Sequence, residues 1–314
     1  MDWKGVCEMI FLLDYVHNHY RENLRMADYA KVVGYTPRHM NVLFKNCLGE
    51  TFGSYLRSLR MEAAKKDLES GISVADAGKN LSFQSKSGFR KTFKDYYGIS
   101  PKDFVSGRVP VRKYEKRYDY RDSVFCSGWG RGSNPTPDGL WEFGYYDPKT
   151  EEYRLMHWEG KLRRSQAQEY RILPYSGQFE APYDKEAPSD LSWYCNHRFW
   201  GYGMHPGSGL RAVRSFVCPY GGSAVISVSA GRICDLRQKD TPCSLQLFLN
   251  GTPVSPTKEP IVLSDTQPVH LKAEFSVNCG DRISLHLDAM GDNHCDGIVI
   301  YRQRIDYVSL DSHE

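Results

Sequence analysis

A chain of 314 residues that is 40% hydrophobic and 25% charged can bury about two cores, and its early apolar run, Met9 to Leu13, is far too short to span a bilayer. The net charge of +3 conceals a split: residues 1–122 hold 22 Lys/Arg against 15 Asp/Glu, whereas residues 123–314 hold 19 against 23. The front part thus carries the positive charge expected of a surface that faces a polyanion. The nine cysteines divide two and seven between these parts, and an odd count with no Cys-x-x-Cys pair does not suit a closed disulfide framework. The opening MDWKGVCEM has neither a basic n-region nor a small-residue cleavage site, so no signal peptide is expected. The chain reads as a cytoplasmic protein with reduced thiols.

From Met9 through Leu13, Val16 and Tyr20, apolar groups recur at helical spacing, and the pattern continues to about Phe104. In the segment LRMADYAKVVGYTPRHMNVLFK (Leu24–Lys45), the pattern predicts a helix over Met26–Val33 that stops at Gly34, a residue free to take the positive φ of a tight turn. Thr36 then caps a second helix, with Pro37 at its first position. Ala30, Tyr35, Met40, Leu43 and Phe44 have the spacing to pack the two helices together, which leaves Arg38, Asn41 and Val42 facing outward.

Phe52–Leu68 reads as one long connecting helix, buried along Tyr55, Leu56, Leu59 and Ala63. The two-helix plan then repeats. Ser73-Val74-Ala75-Asp76 matches a capping box, Val74, Ala77 and Leu81 turn inward, and Ser85 caps the helix SKSGFRKTFK. Phe89 and Phe93 face the core there, while Lys86, Arg90 and Lys91 point out.

The strings GETFGSYLRSLRMEAAKKDLESG and VADAGKNLSFQSKSGFRKTFKDYYGISPKDF closely resemble the AraC-type DNA-binding domain, over residues 10–105. The resemblance implies seven helices, with two recognition helices entering successive major-groove segments on one face of double-stranded DNA. Carried over by position, Arg38, Asn41 and Val42 of the first unit, and Lys86, Ser87, Arg90 and Lys91 of the second, form the base-facing set. Outward lysines are more often solvated than base-reading, so Lys45 and Lys94 are assigned to phosphate contact. Two residues depart from the family pattern. Gly78 stands where Ala is usual, at a cost of about 1 kcal/mol in a helix. Ser82 stands where the turn usually has Gly. The second unit is therefore expected to contribute less specificity than the first.

Residues 106–122 read as a basic linker able to add phosphate contacts. Beyond it the pattern turns to short β-rich runs: Leu140–Tyr146, Ala212–Cys218, Ala224–Ser229, Ser244–Leu249, His270–Val277, Arg282–Leu287 and Ile298–Arg302, with Asn250-Gly251 as a hairpin signal. The expected architecture is multi-domain: an all-α double helix-turn-helix domain (1–105), the linker, and an all-β sandwich of jelly-roll-like kind (123–314).

Five of the six tryptophans lie between 129 and 200, amid many tyrosines. Flat aromatic faces can stack on sugar rings with polar neighbours bonding the hydroxyls, although such residues more often fill a sandwich core. On this reasoning Trp158, Trp193, His197, Trp200, His205, Arg211 and Arg214 are candidate ligand-binding residues. The strings DGLWEFGYYDP, LFLNGTPV, VNCGDRISLHLD and GDNHCDGIVI resemble the galactose-binding-like modules attached to bacterial polysaccharide-active proteins, which implies a saccharide-like effector. Asp288, Asp292 and Asp296 invite a calcium reading, but turn capping explains them more cheaply. Cys195-x-His197 with Cys218 or Cys234 is a weak zinc pattern. No carboxylate pair stands out, so neither a catalytic residue, a metal nor a cofactor is assigned. The expected whole is a regulator whose second domain senses a ligand or joins two copies into a homodimer.

Overall fold

The computed structural model describes residues 3–108, 116–120, 136, 138–155, 203–204, 206–207, 209–232, 242–291 and 297–311. The chain divides into two compact units, Glu8–Tyr114 and Glu115–Glu314 together with Met1–Cys7.

Among the described residues the first part of the chain forms seven helices: α1 (Trp3–His19), α2 (Met26–Val33), α3 (Pro37–Leu48), α4 (Phe52–Glu69), α5 (Val74–Asn80), α6 (Lys86–Tyr97) and α7 (Pro101–Val105). The helix starts are chemical. Thr36, Thr51, Ser73, Ser85 and Ser100 each accept a backbone N–H of the following turn through their hydroxyls, satisfying donors that a helix leaves orphaned. Gly34, Gly49 and Gly98 close α2, α3 and α6 in the left-handed conformation. α1 buries Val6, Met9, Ile10, Leu13 and Val16, a stripe at three- and four-residue spacing. No described helix is long and apolar enough to cross a membrane.

The second unit is built from antiparallel strands: β1 (Lys116–Asp119), β2 (Trp141–Asp147), β3 (Glu152–Leu155), β4 (Gly203–Met204), β5 (Arg211–Val217), β6 (Gly222–Arg232), β7 (Cys243–Leu249), β8 (Thr252–Pro253), β9 (Ile261–Leu263), β10 (Val269–Val277), β11 (Arg282–Asp288) and β12 (Ile298–Leu310). One sheet runs β1-β12-β6-β10 with β4 also on β12. The other runs β3-β2-β5-β11-β7-β8 with β9 also on β7. Both contribute to a single core, in which Trp141, Phe143, Phe216, Leu245 and Leu285 of one sheet join Ile226, Val228, Leu271, Ile305 and Tyr307 of the other. The alternation of β10, with Leu271, Ala273, Phe275 and Val277 buried, shows why one face of a strand closes this core. Asn250 and Gly251, both at positive φ, make the two-residue turn that sets Leu249 opposite Thr252.

The segment read as a linker contributes a strand. β1 pairs with β12 from Lys116↔Tyr307 to Asp119↔Arg304. Its apolar anchor is Tyr118, packed on Phe216 and Tyr307, and Arg117 is bound by Asp306 rather than left for phosphate. A single tyrosine between charged residues carries too little periodicity to be read as a strand.

Candidate nucleic-acid interface

In the first unit α2 ends at Gly34, φ +74°, and the Tyr35 N–H returns to the Ala30 carbonyl at 2.9 Å. Thr36 starts α3 by accepting from the His39 N–H at 3.2 Å. α3 then buries Met40, Leu43, Phe44, Cys47 and Leu48, so Arg38, Asn41, Val42 and Lys45 are left exposed on its other side. Val42 is 54% exposed, an unusual position for an aliphatic side chain on a helix otherwise cleanly divided. The Asn41 amide is turned back on its own helix, donating to the Pro37 carbonyl at 2.8 Å.

The second unit repeats this geometry with different turn chemistry. Ser73 caps α5, and Ser85 caps α6 by accepting from the Gly88 N–H at 3.0 Å. Phe89, Phe93 and Tyr97 form the buried row of α6, while Lys86, Ser87, Arg90, Lys91 and Lys94 are exposed. The turn passes through Ser82 at φ +55°. None of Arg38, Lys45, Lys86, Arg90, Lys91 and Lys94 forms an ion pair among the described residues. Six cations on two helices thus remain available to a polyanion.

The units are tied together by groups that sequence reasoning missed. The Arg21 guanidinium, in the segment after α1, grips both oxygens of Asp67 on α4 at 2.8 and 2.9 Å. Arg60 of α4 donates back to the carbonyls of Tyr20, at 2.8 Å, and Glu22. The same segment's Arg21 carbonyl accepts the Ser82 hydroxyl at 2.6 Å. One three-residue stretch therefore holds the connecting helix and the second turn. Arg60 lies within the string GETFGSYLRSLRMEAAKKDLESG that carries the family resemblance, whereas Arg21 lies outside both strings.

Of the candidates in the second unit, Trp158, Trp193, His197, Trp200 and His205 lie outside the described residues. Arg211 donates to Asp288 at 2.8 Å, with its guanidinium over the Tyr146 ring. Arg214 is wholly buried on the core face of β5, its guanidinium 4.0 Å from the Tyr120 ring centroid. Asp288 also accepts from the Met290 N–H at 3.1 Å, in keeping with turn capping; Asp292 and Asp296 lie outside the described residues. Cys195 and Cys234 do too, whereas Cys218 is a buried free thiol that burial pushes up to about 11. Among the described residues no three metal-ligating side chains gather.

Two helix-turn-helix units, each presenting a capped, basic second helix and joined by a clamped connecting helix, define a DNA-binding domain of the regulator class. A family model described as a helix-turn-helix domain matches residues 29–106. The HTH-type transcriptional activator AarP of Providencia stuartii is 34% identical over 91 residues, covering 29% of this chain and 67% of that protein. An uncharacterized HTH-type transcriptional regulator of Staphylococcus aureus (strain COL) is 29% identical over 112 residues, covering 35% of this chain and only 15% of its own length. The C-terminal domain of the response regulator yesN from Fusobacterium nucleatum matches at 24% identity over 30% of this chain and 94% of its own, with a TM-score of 0.29. A family 35 carbohydrate binding module from Clostridium thermocellum matches at 11% identity, 31% of this chain and 68% of its own, with a TM-score of 0.21. The chain belongs to the AraC-type helix-turn-helix family of transcriptional regulators.

Proposed function

We propose that the helical unit reads a double-stranded DNA operator, with α3 and α6 entering successive major-groove segments. Arg38, Asn41, Val42, Lys86, Ser87, Arg90 and Lys91 face the bases, and Lys45 and Lys94 lie on phosphate. The observation that carries this reading is the pair of capped helices whose six outward cations have no ion-pair partner among the described residues. A helix N-terminus adds its own attraction for phosphate. Selection of binding sites from random duplexes with the full chain tests it. Recovery of a motif spanning two adjacent major-groove segments is expected, and sequence-blind binding would overturn it.

The two-sheet unit, a sandwich of jelly-roll-like kind, is proposed to sense a saccharide-like effector in the cytoplasm and to act by binding rather than catalysis. A ligand changes operator affinity only through different affinities for two states of the protein. Effector-dependent operator binding, measured across a sugar panel, is the test.

A second reading makes this unit a dimerisation module, and β10 favours it. Among the described residues β10 pairs only with β6, leaving a nine-residue strand at the sheet edge. An antiparallel copy centred on Ala273 sets Lys272 opposite Glu274 twice. Sedimentation of wild type against Lys272→Glu separates the readings: a dimer lost on substitution favours assembly.

A further inference from the structure

On α3 one exposed residue is out of character. Met40, Leu43, Phe44, Cys47 and Leu48 are buried, and beyond Pro37 the exposed positions are Arg38, His39, Asn41, Lys45 and Asn46, all polar, together with Val42. Val42 is 54% exposed. Arg38 stands one turn before it and Lys45 three residues after it, so Val42 occupies the middle of the outward face. It buries little there and, being β-branched, propagates a helix less well than lysine or glutamine. Folding therefore does not account for it.

The second unit sharpens the contrast. The caps Thr36 and Ser85, the buried pairs Met40/Phe44 and Phe89/Phe93, and the closing residues Gly49 and Gly98 recur at one constant spacing. In that register Lys91 takes the place of Val42, Arg90 that of Asn41 and Ser87 that of Arg38. The central outward position is thus aliphatic on α3 and cationic on α6.

An aliphatic side chain has neither donor nor acceptor, so it can recognise only an apolar group. The major groove offers one, the C5-methyl of thymine. Over any other base edge Val42 would strip water from a nitrogen or oxygen without replacing its hydrogen bond, which costs affinity. Its neighbour sets a distance. Arg38 is four residues away on the same face, about 6 Å along the helix axis. Bases of one strand follow one another about every 3.4 Å, so the two side chains reach bases within about two steps of each other. The Asn41 amide, beside Val42, is held back by its bond to the Pro37 carbonyl at 2.8 Å.

We propose that Val42 selects a thymine by its methyl group, in the first major-groove segment and within about two base pairs of a guanine bound by Arg38. The operator's two segments are then unlike, because Lys91 stands on α6 where Val42 stands on α3. Such an operator is not a direct repeat, and it fixes the direction in which the chain lies along the DNA. The assignment rests on reading α3 as a recognition helix and adds the chemical group that it reads.

The test uses the full chain and the duplex motif that selection returns. Each thymine is replaced singly by uracil, which keeps the base pair and removes only the methyl. Each guanine is replaced singly by 7-deazaguanine, which removes only the N7 acceptor. Affinities are read by fluorescence anisotropy. One thymine is expected to weaken wild-type binding about fourfold when its methyl is lost. It should lie within about two base pairs of a guanine whose N7 is felt by wild type and not by Arg38→Ala. Val42→Ala should bind the parent duplex as weakly as wild type binds the uracil duplex, and should lose less than about twofold on uracil substitution. The inference is overturned if every methyl can be removed without effect, if Val42→Ala keeps the methyl effect in full, or if that thymine lies farther from the Arg38 guanine. In each of these cases the selected motif still supports α3 as a recognition helix; failure to select any motif removes both.

Discussion

The Ser82 hydroxyl donates to the Arg21 carbonyl at 2.6 Å, fastening the turn of the second helix-turn-helix to the segment that follows α1. Ser82 sits at φ +55°, a conformation that costs a side-chain-bearing residue about 1 kcal/mol or more. The hydrogen bond returns a comparable amount, about 0.5–1.5 kcal/mol. Ser82→Ala keeps the strain and loses the bond, so it should destabilise the helical unit by about 1–2 kcal/mol. Ser82→Gly loses the bond but relieves the strain, so its change should stay within about 0.5 kcal/mol. Urea unfolding followed by far-ultraviolet circular dichroism compares them with wild type; equal midpoints for wild type and Ser82→Ala would show that the bond contributes nothing.

Gly78 departs from the family pattern for a packing reason. A Cβ there would lie 3.0 Å from Cγ and 3.1 Å from Cδ1 of Phe89. Phe89 is 1% exposed and held between the rings of Phe83 and Phe93, so it has little room to retreat. Alanine would gain about 1 kcal/mol of helix propensity. Overpacking costs about 1–3 kcal/mol, and it should win. Gly78→Ala is therefore expected to lower stability by about 1 kcal/mol, and Gly78→Ala with Phe89→Leu to recover part of the loss. A stabilised Gly78→Ala in the same urea experiment would refute the packing account.

These two residues also show how much the sequence discloses. Caps, turns and helix faces depend on neighbours a few positions apart, so Gly34, Thr36, Ser73 and Ser85 could be assigned from residue type alone. Strand runs such as Arg282–Asp288 and Val269–Val277 were legible from alternation, to within a residue or so. The Arg21–Asp67 clamp spans 46 residues and has no local signature. Arg214 shares its face with Ala212 and Phe216, so alternation did point it inward, but a charged residue invites the opposite assignment. β12 runs on from Arg302 to Leu310 because Ile305 and Tyr307 keep the inward rhythm between polar neighbours.

The two recognition helices should differ in what they read. Arg38→Ala and Arg90→Ala should each cost about 1–3 kcal/mol on the selected operator. Loss on a scrambled duplex should be much smaller, because base contacts carry the discrimination. Lys94→Ala should weaken both duplexes alike and reduce the slope of log affinity against log salt by about 1. Asn41 must give up its bond to the Pro37 carbonyl before it can reach a base, so Asn41→Ala should cost less than Arg38→Ala. The Arg38 loss should also exceed the Arg90 loss if the first unit carries more of the specificity. Fluorescence anisotropy on both duplexes at two salt concentrations reads all four; equal losses on operator and scrambled DNA for Arg38→Ala would remove it from base readout.

His286 should make the two-sheet unit sensitive to acid. It lies on β11 opposite Val213 and Gln246, its ring stacked on Phe248 at 4.0 Å and its Nδ1 unpartnered. Burial, reinforced by the nearby Arg211 charge, pushes the imidazole down to about 3 from an ordinary 6.5. The unfolded chain therefore takes up a proton as pH falls through 6.5, while the folded one stays neutral until about 3. The contribution to stability is complete above the unfolded value and is lost progressively across that window, by up to about 1.4 kcal/mol per pH unit. Between about pH 7 and pH 5, wild type should lose about 2 kcal/mol more than His286→Gln. Other carboxylates titrate equally in both proteins and cancel in the difference. Urea midpoints collected across this range give the two curves; if they run parallel, the imidazole is not held neutral by the fold.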